Sequence, residues 1–284
     1  MRSGKLVRFA MLADVQYAEK SAADARRYAR AKDRLGECVA AVNALRPPPA
    51  FVIQLGDLID GGAAAGAELA AAAAVVNRLF VPRYHVLGNH DFVGLGREQT
   101  MAILHMERAY YAFDLNGWRF VVLDTQDVAV QGGWDQGSEP YRAGRQWLRR
   151  LSERGAENAQ PYNGALGDRQ LGWLTAVLDE AEQETLPVIV FGHQPLVPAG
   201  DKHTLWNAEQ VVAILQRRGC VKAYICGHRH RDGCIQQNGV YYVALEAMVE
   251  CAKQAAVWYY VSLRSDVIDI KGFGIARQRT LAIR

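Results

Sequence analysis

The stretch FAMLADVQY (residues 9–17) is an apolar run that ends on Asp14, with Gln16 two positions later. A short apolar run of this kind is typical of a buried strand. Where the strand ends, the sequence places a carboxylate and an amide. In parallel α/β sheets the carboxyl ends of the strands form the crevice in which ligands bind. The stretch therefore predicts a buried first strand with a polar site at its mouth.

Short apolar runs and helical patterns alternate over the first third of the chain. We predict strands at 6–13, 51–55 and 83–87, separated by helices at 23–45 and 63–80. The first helix is stopped by the triple proline at 47–49, because proline cannot continue a helix. This order predicts parallel strands joined by right-handed crossovers.

The second half of the chain predicts a second sheet. Asn116-Gly117 and Asn238-Gly239 each stand between β-rich runs, which is a strong hairpin signal. Further strands are predicted at 187–192 and 221–227, with helices at 168–183 and 208–218. Parallel units followed by antiparallel ones predict two sheets packed face to face with helices outside, in the α/β class.

The chain has no linker-like segment, so we expect residues 1–284 to form a single domain. The polar stretch 126–167 is expected to be a long loop or lid segment with room for one helix, because loops of this length are usually functional.

Composition excludes several classes of protein. The net charge of +3 is small and dispersed, which argues against a nucleic-acid partner. The five cysteines are odd in number and form no CxxC pair, which favours reduced thiols in the cytoplasm; they are Cys38, Cys220, Cys226, Cys234 and Cys251. We expect the opening apolar stretch to be too short and too interrupted for a signal peptide, and no apolar run approaches the roughly 18 residues of a spanning helix. We expect no membrane association and no obligate protein partner.

Polar side chains follow five predicted strands. They are Asp14 and Gln16, then Gly56-Asp57, Gly88-Asn89-His90-Asp91, Gly192-His193, and Gly227-His228-Arg229-His230. Oxygen and nitrogen donors without thiolate suit a pair of divalent cations such as Mn²⁺, Fe²⁺ or Zn²⁺. Each glycine is expected to let the backbone leave its strand sharply. Taken alone, each motif has a structural alternative, such as a capping aspartate or a left-handed asparagine. Turn chemistry does not explain five of them in this order.

The series DVQ, GDLID, GNHD, GH and GHRH resembles the calcineurin-type metallophosphoesterase superfamily, whose pattern is DxH, GD, GNH[DE], GH and GHxH. The resemblance spans Asp14 to His230. It implies a four-layer α/β/β/α sandwich of two mixed sheets flanked by helices, the metallophosphatase fold. It also implies a two-metal phosphoester hydrolase in which a hydroxide held between the cations is the nucleophile. The departure is Gln16, where most members have histidine.

Gln16 also indicates a particular group of proteins within this superfamily. Together with ARRYARAKDRL, YNGALGDRQLGWL, HTLWNAEQV and GHRHRDGC, it is similar to the manganese-dependent ADP-ribose/CDP-alcohol diphosphatases, in which DxQ is the usual form. This implies a small-molecule nucleotide substrate cleaved at its diphosphate to a nucleoside monophosphate and a phosphorylated product. Because an amide oxygen is a weaker ligand than imidazole, manganese is favoured over zinc. The chain departs from these proteins by being shorter after Gln16 and by reading GHQP at 192–195.

Residue by residue, the resemblance implies two metal sites that share Asp57. One is formed by Asp14, Gln16, Asp57 and His230, and the other by Asp57, Asn89, His193 and His228. His90 is the catalytic candidate, contacting a phosphoryl oxygen or protonating the leaving group, with Asp91 orienting its ring. Candidates for substrate binding, each with packing as the alternative, are Tyr17 (by stacking), Asn163, Gln194 and Cys234.

Two other functions stay open. The same two-metal chemistry could act on cyclic nucleotides, other phosphodiesters or phosphomonoesters. A non-catalytic scaffold of the same fold is the alternative from a different class. Outside the motifs, His85, His105 and His203 are expected to be structural or surface residues.

Overall fold

Two six-stranded β-sheets form the centre of the computed structural model, which describes residues 6–23, 25–250 and 255–283. The strands are β1 (Val7–Leu12), β2 (Val52–Leu55), β3 (Arg83–Val86), β4 (Tyr111–Leu115), β5 (Trp118–Val122), β6 (Val128–Ala129), β7 (Gly164–Ala165), β8 (Val188–Phe191), β9 (Val221–Cys226), β10 (Gly233–Gln237), β11 (Val240–Ala244), β12 (Trp258–Leu263), β13 (Val267–Phe273) and β14 (Arg279–Ala282). The helices are α1 (Tyr28–Ala44), α2 (Ala65–Val76), α3 (Arg97–Ile103), α4 (Glu139–Glu153), α5 (Asp168–Gln183) and α6 (Ala208–Gln216).

The first sheet has the strand order β14-β13-β12-β1-β2-β3, and the second β10-β11-β9-β8-β5-β4. In the first, β1, β2 and β3 are parallel, because α1 and α2 return the chain to the same end each time. In the second, β5, β8, β9 and β11 are parallel, and the edge strands β4 and β10 are antiparallel. The predicted parallel order is confirmed.

Both predicted hairpins are present. Asn116 and Gly117 have φ of 51° and 82°, and Asn238 and Gly239 have φ of 48° and 81°. Positive φ at both central residues matches the right-handed twist of the flanking strands, which is why Asn-Gly is preferred there. The turns join β4 to β5 and β10 to β11.

The first helix begins later than the prediction of residue 23. Ala23 and Arg26 instead exchange two backbone hydrogen bonds, of 3.3 and 2.9 Å, in a tight turn. The Arg27 N–H then donates to the Val249 carbonyl oxygen at 2.9 Å. These contacts involve Ala23, Arg26 and Arg27, which precede the helix that begins at Tyr28.

The core between the sheets is built on phenylalanine rings. Phe9 stacks on Phe51 at 4.8 Å between ring centroids, and Phe120 meets Phe51 edge-on at 5.0 Å. Phe191 lies edge-on to Phe9 at 5.8 Å. Such pairs contribute about 0.5–1.5 kcal/mol each beyond the burial of their area. The two sheets are therefore held face to face.

Helices cover the outer face of each sheet. Leu35 and Leu69 of α1 and α2 pack on the first sheet, and Leu174 and Val211 of α5 and α6 pack on the second. The predicted four-layer α/β/β/α sandwich is confirmed. Among the described residues, no helix combines the length and the apolar character that a membrane span needs.

Residues 126–167 hold α4 and the short antiparallel pair β6–β7. Trp147, Leu148 and Leu151 of α4 pack against this pair and against Trp206. Ser138 caps the helix by accepting a hydrogen bond from the Tyr141 N–H at 3.4 Å. The helix that the sequence allowed in this segment is thus present, and its role as a lid stays a prediction.

The inter-sheet core yields a stability prediction. Phe120→Ala should lower the free energy of unfolding by about 3–5 kcal/mol, because the ring is fully buried and its removal leaves a cavity. Phe80→Ala is the matched control, since that side chain is 85% exposed, and it should change stability by less than about 0.5 kcal/mol. Urea unfolding measures both. Equal effects would contradict the assignment of the core.

Candidate metal centre

Loops from both sheets meet at one edge of the sandwich. Asp57 follows β2 in the first sheet and His193 follows β8 in the second, and Asp57 Oδ2 lies 3.2 Å from His193 Nε2. Asp14, after β1, accepts the backbone N–H of His228, after β9, at 3.0 Å. The convergence predicted from the strand ends is therefore what the structure shows.

The predicted ligands form a connected cluster. One ligand atom each of Asp57, His193 and His228 lies within 4.8 Å of the others. His193 Nε2 is 3.1 Å from His228 Nδ1, and Gln16 Nε2 is 3.4 Å from Asp57 Oδ2. His230 Nε2 lies 3.5 Å from Asp14 Oδ1.

Asn89 borders this cluster through its neighbour His90. The backbone N–H of His90 donates to Asp57 Oδ1 at 2.8 Å, and Asn89 itself is buried. All seven predicted ligands are thus placed at the same edge.

Each histidine of the cluster has one ring nitrogen at an oxygen acceptor and the other directed at the cluster. His193 Nδ1 lies 2.8 Å from the Leu55 carbonyl oxygen. His228 Nε2 lies 3.2 Å from Asn163 Oδ1, and His230 Nδ1 lies 2.8 Å from Glu250 Oε1. A ring that donates from one nitrogen keeps a lone pair on the other. Metal-binding histidines are typically oriented in this way.

Two buried amide oxygens in this region lack a hydrogen-bond partner, Gln16 Oε1 and Asn89 Oδ1. A buried acceptor without a partner costs about 1–3 kcal/mol. A cation would supply the missing partner, and carboxylate, amide and imidazole donors suit a divalent ion of intermediate hardness. The residues present therefore fit the pair of divalent ions.

The backbone of the cluster is strained. Five of the predicted ligands have positive φ, namely Asp14 (52°), Gln16 (45°), Asp57 (55°), His228 (66°) and His230 (59°). Residues other than glycine in this conformation cost about 1–3 kcal/mol each and cluster at functional sites. These strained conformations turn the ligand side chains toward one point.

The motif glycines serve two purposes. Gly56 has φ of 93°, as expected of a residue that turns the chain sharply. For Gly88 and Gly227 that prediction is wrong, since neither has positive φ. A Cβ on Gly88 would lie 2.1 Å from Asp57 Oδ1, and one on Gly227 would lie 2.4 Å from Asp14 Oδ2. These glycines leave room for the carboxylates.

Charged groups in the cluster shift one another's pKa values. Burial opposes ionisation of Asp57, but the imidazoles of His193 and His90 outweigh it and hold the pKa of this carboxyl well below its usual range. Burial likewise opposes the charge on His193 and His230. The carboxylates of Asp57 and Asp14 nevertheless raise the pKa of these two imidazoles to about 9. The cluster thus holds protons where a cation would bind, and metal uptake would release them.

His90 is held by Asp60 and not by Asp91. His90 Nδ1 lies 2.9 Å from the Asp60 carbonyl oxygen and 3.5 Å from Asp60 Oδ1. The fully buried carboxylate of Asp91 instead accepts backbone N–H groups, from Leu58 at 2.7 Å, Gly88 at 2.9 Å and Asp57 at 3.0 Å. The prediction that Asp91 orients the His90 ring is wrong, because these amides occupy its oxygens. Asp91 fixes the loop that carries Asp57.

Tyr17 and Cys234 do not join the cluster. Tyr17 is 2% exposed, its hydroxyl contacts Glu19 and Lys32, and the Lys32 ammonium lies 4.7 Å from the centre of its ring. These contacts do not favour stacking of the ring on a base, which stays a prediction. Cys234 is exposed on the edge strand β10, and its role in substrate binding stays a prediction.

Asn163 and Gln194 are fully buried and hold other groups in place. Gln194 Nε2 donates to the Tyr162 carbonyl oxygen at 2.9 Å, and its Oε1 accepts the Gly164 N–H at 3.1 Å. Asn163 Oδ1 faces His228, as described above. Their polar atoms already have partners within the protein, and direct substrate contact by these two residues stays a prediction.

Three residues beside the cluster were not found from the sequence: Glu250, Asp60 and His203. Glu250 lies 20 positions after its partner His230, a spacing without a recognisable signature. His203 was expected to be structural or at the surface, yet its ring centroid is 5.6 Å from that of His228. The fold brings Glu250 and His203 to the site, whereas Asp60 follows Asp57 within the GDLID motif.

The close approach of Gly88 to Asp57 generates a prediction. Gly88→Ala should displace the Asp57 carboxylate and weaken metal binding at least tenfold, measured by calorimetric titration with Mn²⁺. Gly172→Ala on α5 is the control, because a Cβ there meets nothing within 4 Å, and it should leave metal binding unchanged. Retention of full metal affinity by Gly88→Ala would contradict the placement of Asp57.

Known proteins resemble this chain along most of its length. The sequence model of the calcineurin-like phosphoesterase family matches residues 7–232. A manganese-dependent ADP-ribose/CDP-alcohol diphosphatase of Arabidopsis thaliana is 31% identical over 244 residues, covering 78% of each chain. The Bos taurus protein of the same name is 30% identical over 323 residues, covering 99% of this chain and 96% of the relative.

A solved structure agrees with the sequence comparison. A dimetal phosphatase from Danio rerio superposes with a TM-score of 0.88 at 26% identity, covering 98% of this chain and 99% of that one. The resemblance inferred from the five motifs is thereby confirmed. The chain belongs to the calcineurin-like phosphoesterase family and is a metallophosphoesterase, an enzyme that hydrolyses phosphoesters.

Proposed function

We propose that this enzyme hydrolyses the diphosphate of nucleoside diphosphate derivatives such as ADP-ribose and CDP-alcohols in a Mn²⁺-dependent reaction. The products are a nucleoside monophosphate and a phosphorylated sugar or alcohol. The observation that carries the proposal is Gln16, whose buried amide oxygen is free beside Asp57. Relatives that carry this activity in their name match nearly the whole chain, which supports it.

Two groups of residues would hold the metal ions. Asp14, Gln16, Asp57 and His230 would bind one, and Asp57, Asn89, His193 and His228 the other. When bound, such ions supply positive charge for phosphoryl oxygens and lower the pKa of water. An amide oxygen at Gln16 in place of imidazole favours Mn²⁺ over Zn²⁺.

His90 is suited to contact the phosphoryl group. Its Nδ1 donates to the Asp60 carbonyl oxygen, so Nε2 is left free at the rim, where the side chain is 28% exposed. In a diphosphate the leaving group is itself a phosphate. Stabilising charge on the non-bridging oxygens therefore matters more than protonating the leaving group.

We also propose that the enzyme works in the cytoplasm. Cys38, Cys220, Cys226 and Cys234 are free thiols, which suits a reducing compartment. Cys251 lies outside the described residues.

The proposed function is tested with metal-stripped protein given ADP-ribose or CDP-choline, with Mn²⁺, Mg²⁺ or Zn²⁺ added back. We expect release of AMP and CMP with Mn²⁺ and much slower release with Zn²⁺. Hydrolysis of bis-p-nitrophenyl phosphate without cleavage of either diphosphate would contradict the proposed substrate class while leaving the metallophosphoesterase intact.

His90→Ala should lower kcat about 10²–10⁴-fold, the usual contribution of a group that assists proton transfer or binds the reacting phosphate. Metal content should stay near that of the wild type, because no predicted metal position is lost. His105→Ala, at an exposed histidine outside the motifs, is the control and should keep full activity. Loss of metal from His90→Ala would instead make His90 a ligand or a structural residue.

A further inference from the structure

Two aromatic side chains border the metal cluster beside His228. The ring centroids of Tyr162 and His203 each lie 5.6 Å from that of His228. The two rings are 6.0 Å apart and inclined by 30° to each other. Tyr162 comes from the segment after α4 and His203 from the loop before α6. Two separate loops thus place rings at the same point.

These rings lie nearer the solvent than the cluster. His228 is 8% exposed, whereas Tyr162 is half-buried and the His203 side chain is 25% exposed. A group attached to a phosphate held at the cluster would leave it on the solvent side. Of the rings that contact His228, Tyr162 and His203 are the ones exposed enough for such a group to reach.

Buried amides fix the position of Tyr162. Its carbonyl oxygen accepts Gln194 Nε2 at 2.9 Å and Gln126 Nε2 at 3.2 Å, and both glutamines are fully buried. Two donors on one carbonyl oxygen hold the backbone firmly. The backbone that carries the ring is therefore fixed before any ligand arrives, which reduces the entropic cost of binding.

His203 is fixed from two sides. Asn163 Nδ2 donates to the carbonyl oxygen of Lys202 at 2.8 Å, and Asp201 Oδ1 accepts the His203 N–H at 3.0 Å. Asp201 Oδ1 also lies 3.3 Å from His203 Nδ1. Asn163, which faces His228 through its Oδ1, therefore ties the metal cluster to the loop that carries His203.

The chemistry of this surface matches a nucleoside phosphate. Tyr162 and His203 offer flat rings to a heterocyclic base, and Asp201 is an acceptor for hydroxyl or amino groups. Arg229 stands between two predicted metal ligands in the sequence, and its guanidinium lies 3.5 Å from Asp201 Oδ2. Aromatic rings with an acceptor and a cation nearby suit an aromatic base joined to phosphate.

We propose that Tyr162 and His203 bind the nucleoside part of the substrate and determine the preference for nucleotides. This inference rests on the proposed function, since it deepens the substrate assignment of the same site. Asn163 and Gln194 act through these two residues as positioning residues.

The test compares binding of AMP, CMP and inorganic phosphate to the Mn²⁺-loaded protein by titration calorimetry. Tyr162→Ala and His203→Ala should each raise the Kd for AMP and CMP about tenfold, the usual effect of removing an aromatic ring that stacks on a base. The Kd for phosphate should stay within twofold. Tyr162→Phe keeps the ring and should bind AMP like the wild type, and His105→Ala is the matched histidine control.

Several results would overturn the inference. A wild type that binds AMP no better than phosphate has no nucleoside contact. Equal weakening of all three ligands, with loss of Mn²⁺, would show that Tyr162 and His203 act only by supporting His228. Unchanged AMP binding in both alanine variants would place the nucleoside elsewhere. Failure of the proposed function appears separately, as a wild type that binds AMP but leaves ADP-ribose and CDP-choline intact.

Discussion

The site depends on the contact between the Asp57 carboxylate and the His193 imidazole, 3.2 Å apart across the two sheets. Both groups are buried, so neither can be satisfied by water, and each stabilises the charged form of the other. The space for this carboxylate exists because residue 88 is glycine. A single carboxylate thus joins the strand ends of one sheet to those of the other, at the point where the two proposed metal-ligand sets would overlap.

The sandwich provides the rigidity that this contact needs. The phenylalanine core fixes the distance between the sheets, and the parallel strands deliver their ends to one edge. The ligand loops then take up left-handed backbone conformations at several positions, including Asp57 and His228. Such strain persists only where the surrounding structure over-determines it. A stable core is therefore a condition for holding the loops after β1, β2 and β9 in conformations that would otherwise relax.

Much of this could be predicted from the sequence, because strands, Asn-Gly turns and glycine-anchored polar motifs are local patterns. What could not be predicted depends on which atoms meet in three dimensions. Asp91 was expected at the His90 ring, but backbone amides of its own loop and of the loop after β2 take its carboxylate. Asn163 and Gln194 have the right chemistry for a substrate, yet they face inward. Glu250 has no motif, and its position follows from the path of the chain after β11.

The most direct test of the proposed two-metal site is a crystal structure of the Mn²⁺-loaded protein with anomalous scattering measured at the manganese edge. We predict two anomalous peaks about 3.5–4 Å apart, with the Asp57 carboxylate between them. The Gln16 and Asn89 amide oxygens should each point at one peak. A single peak would contradict the assignment of Asp57 as the shared ligand. Two peaks with the Gln16 oxygen turned away would contradict the assignment of Gln16 as the ligand that determines the choice of metal.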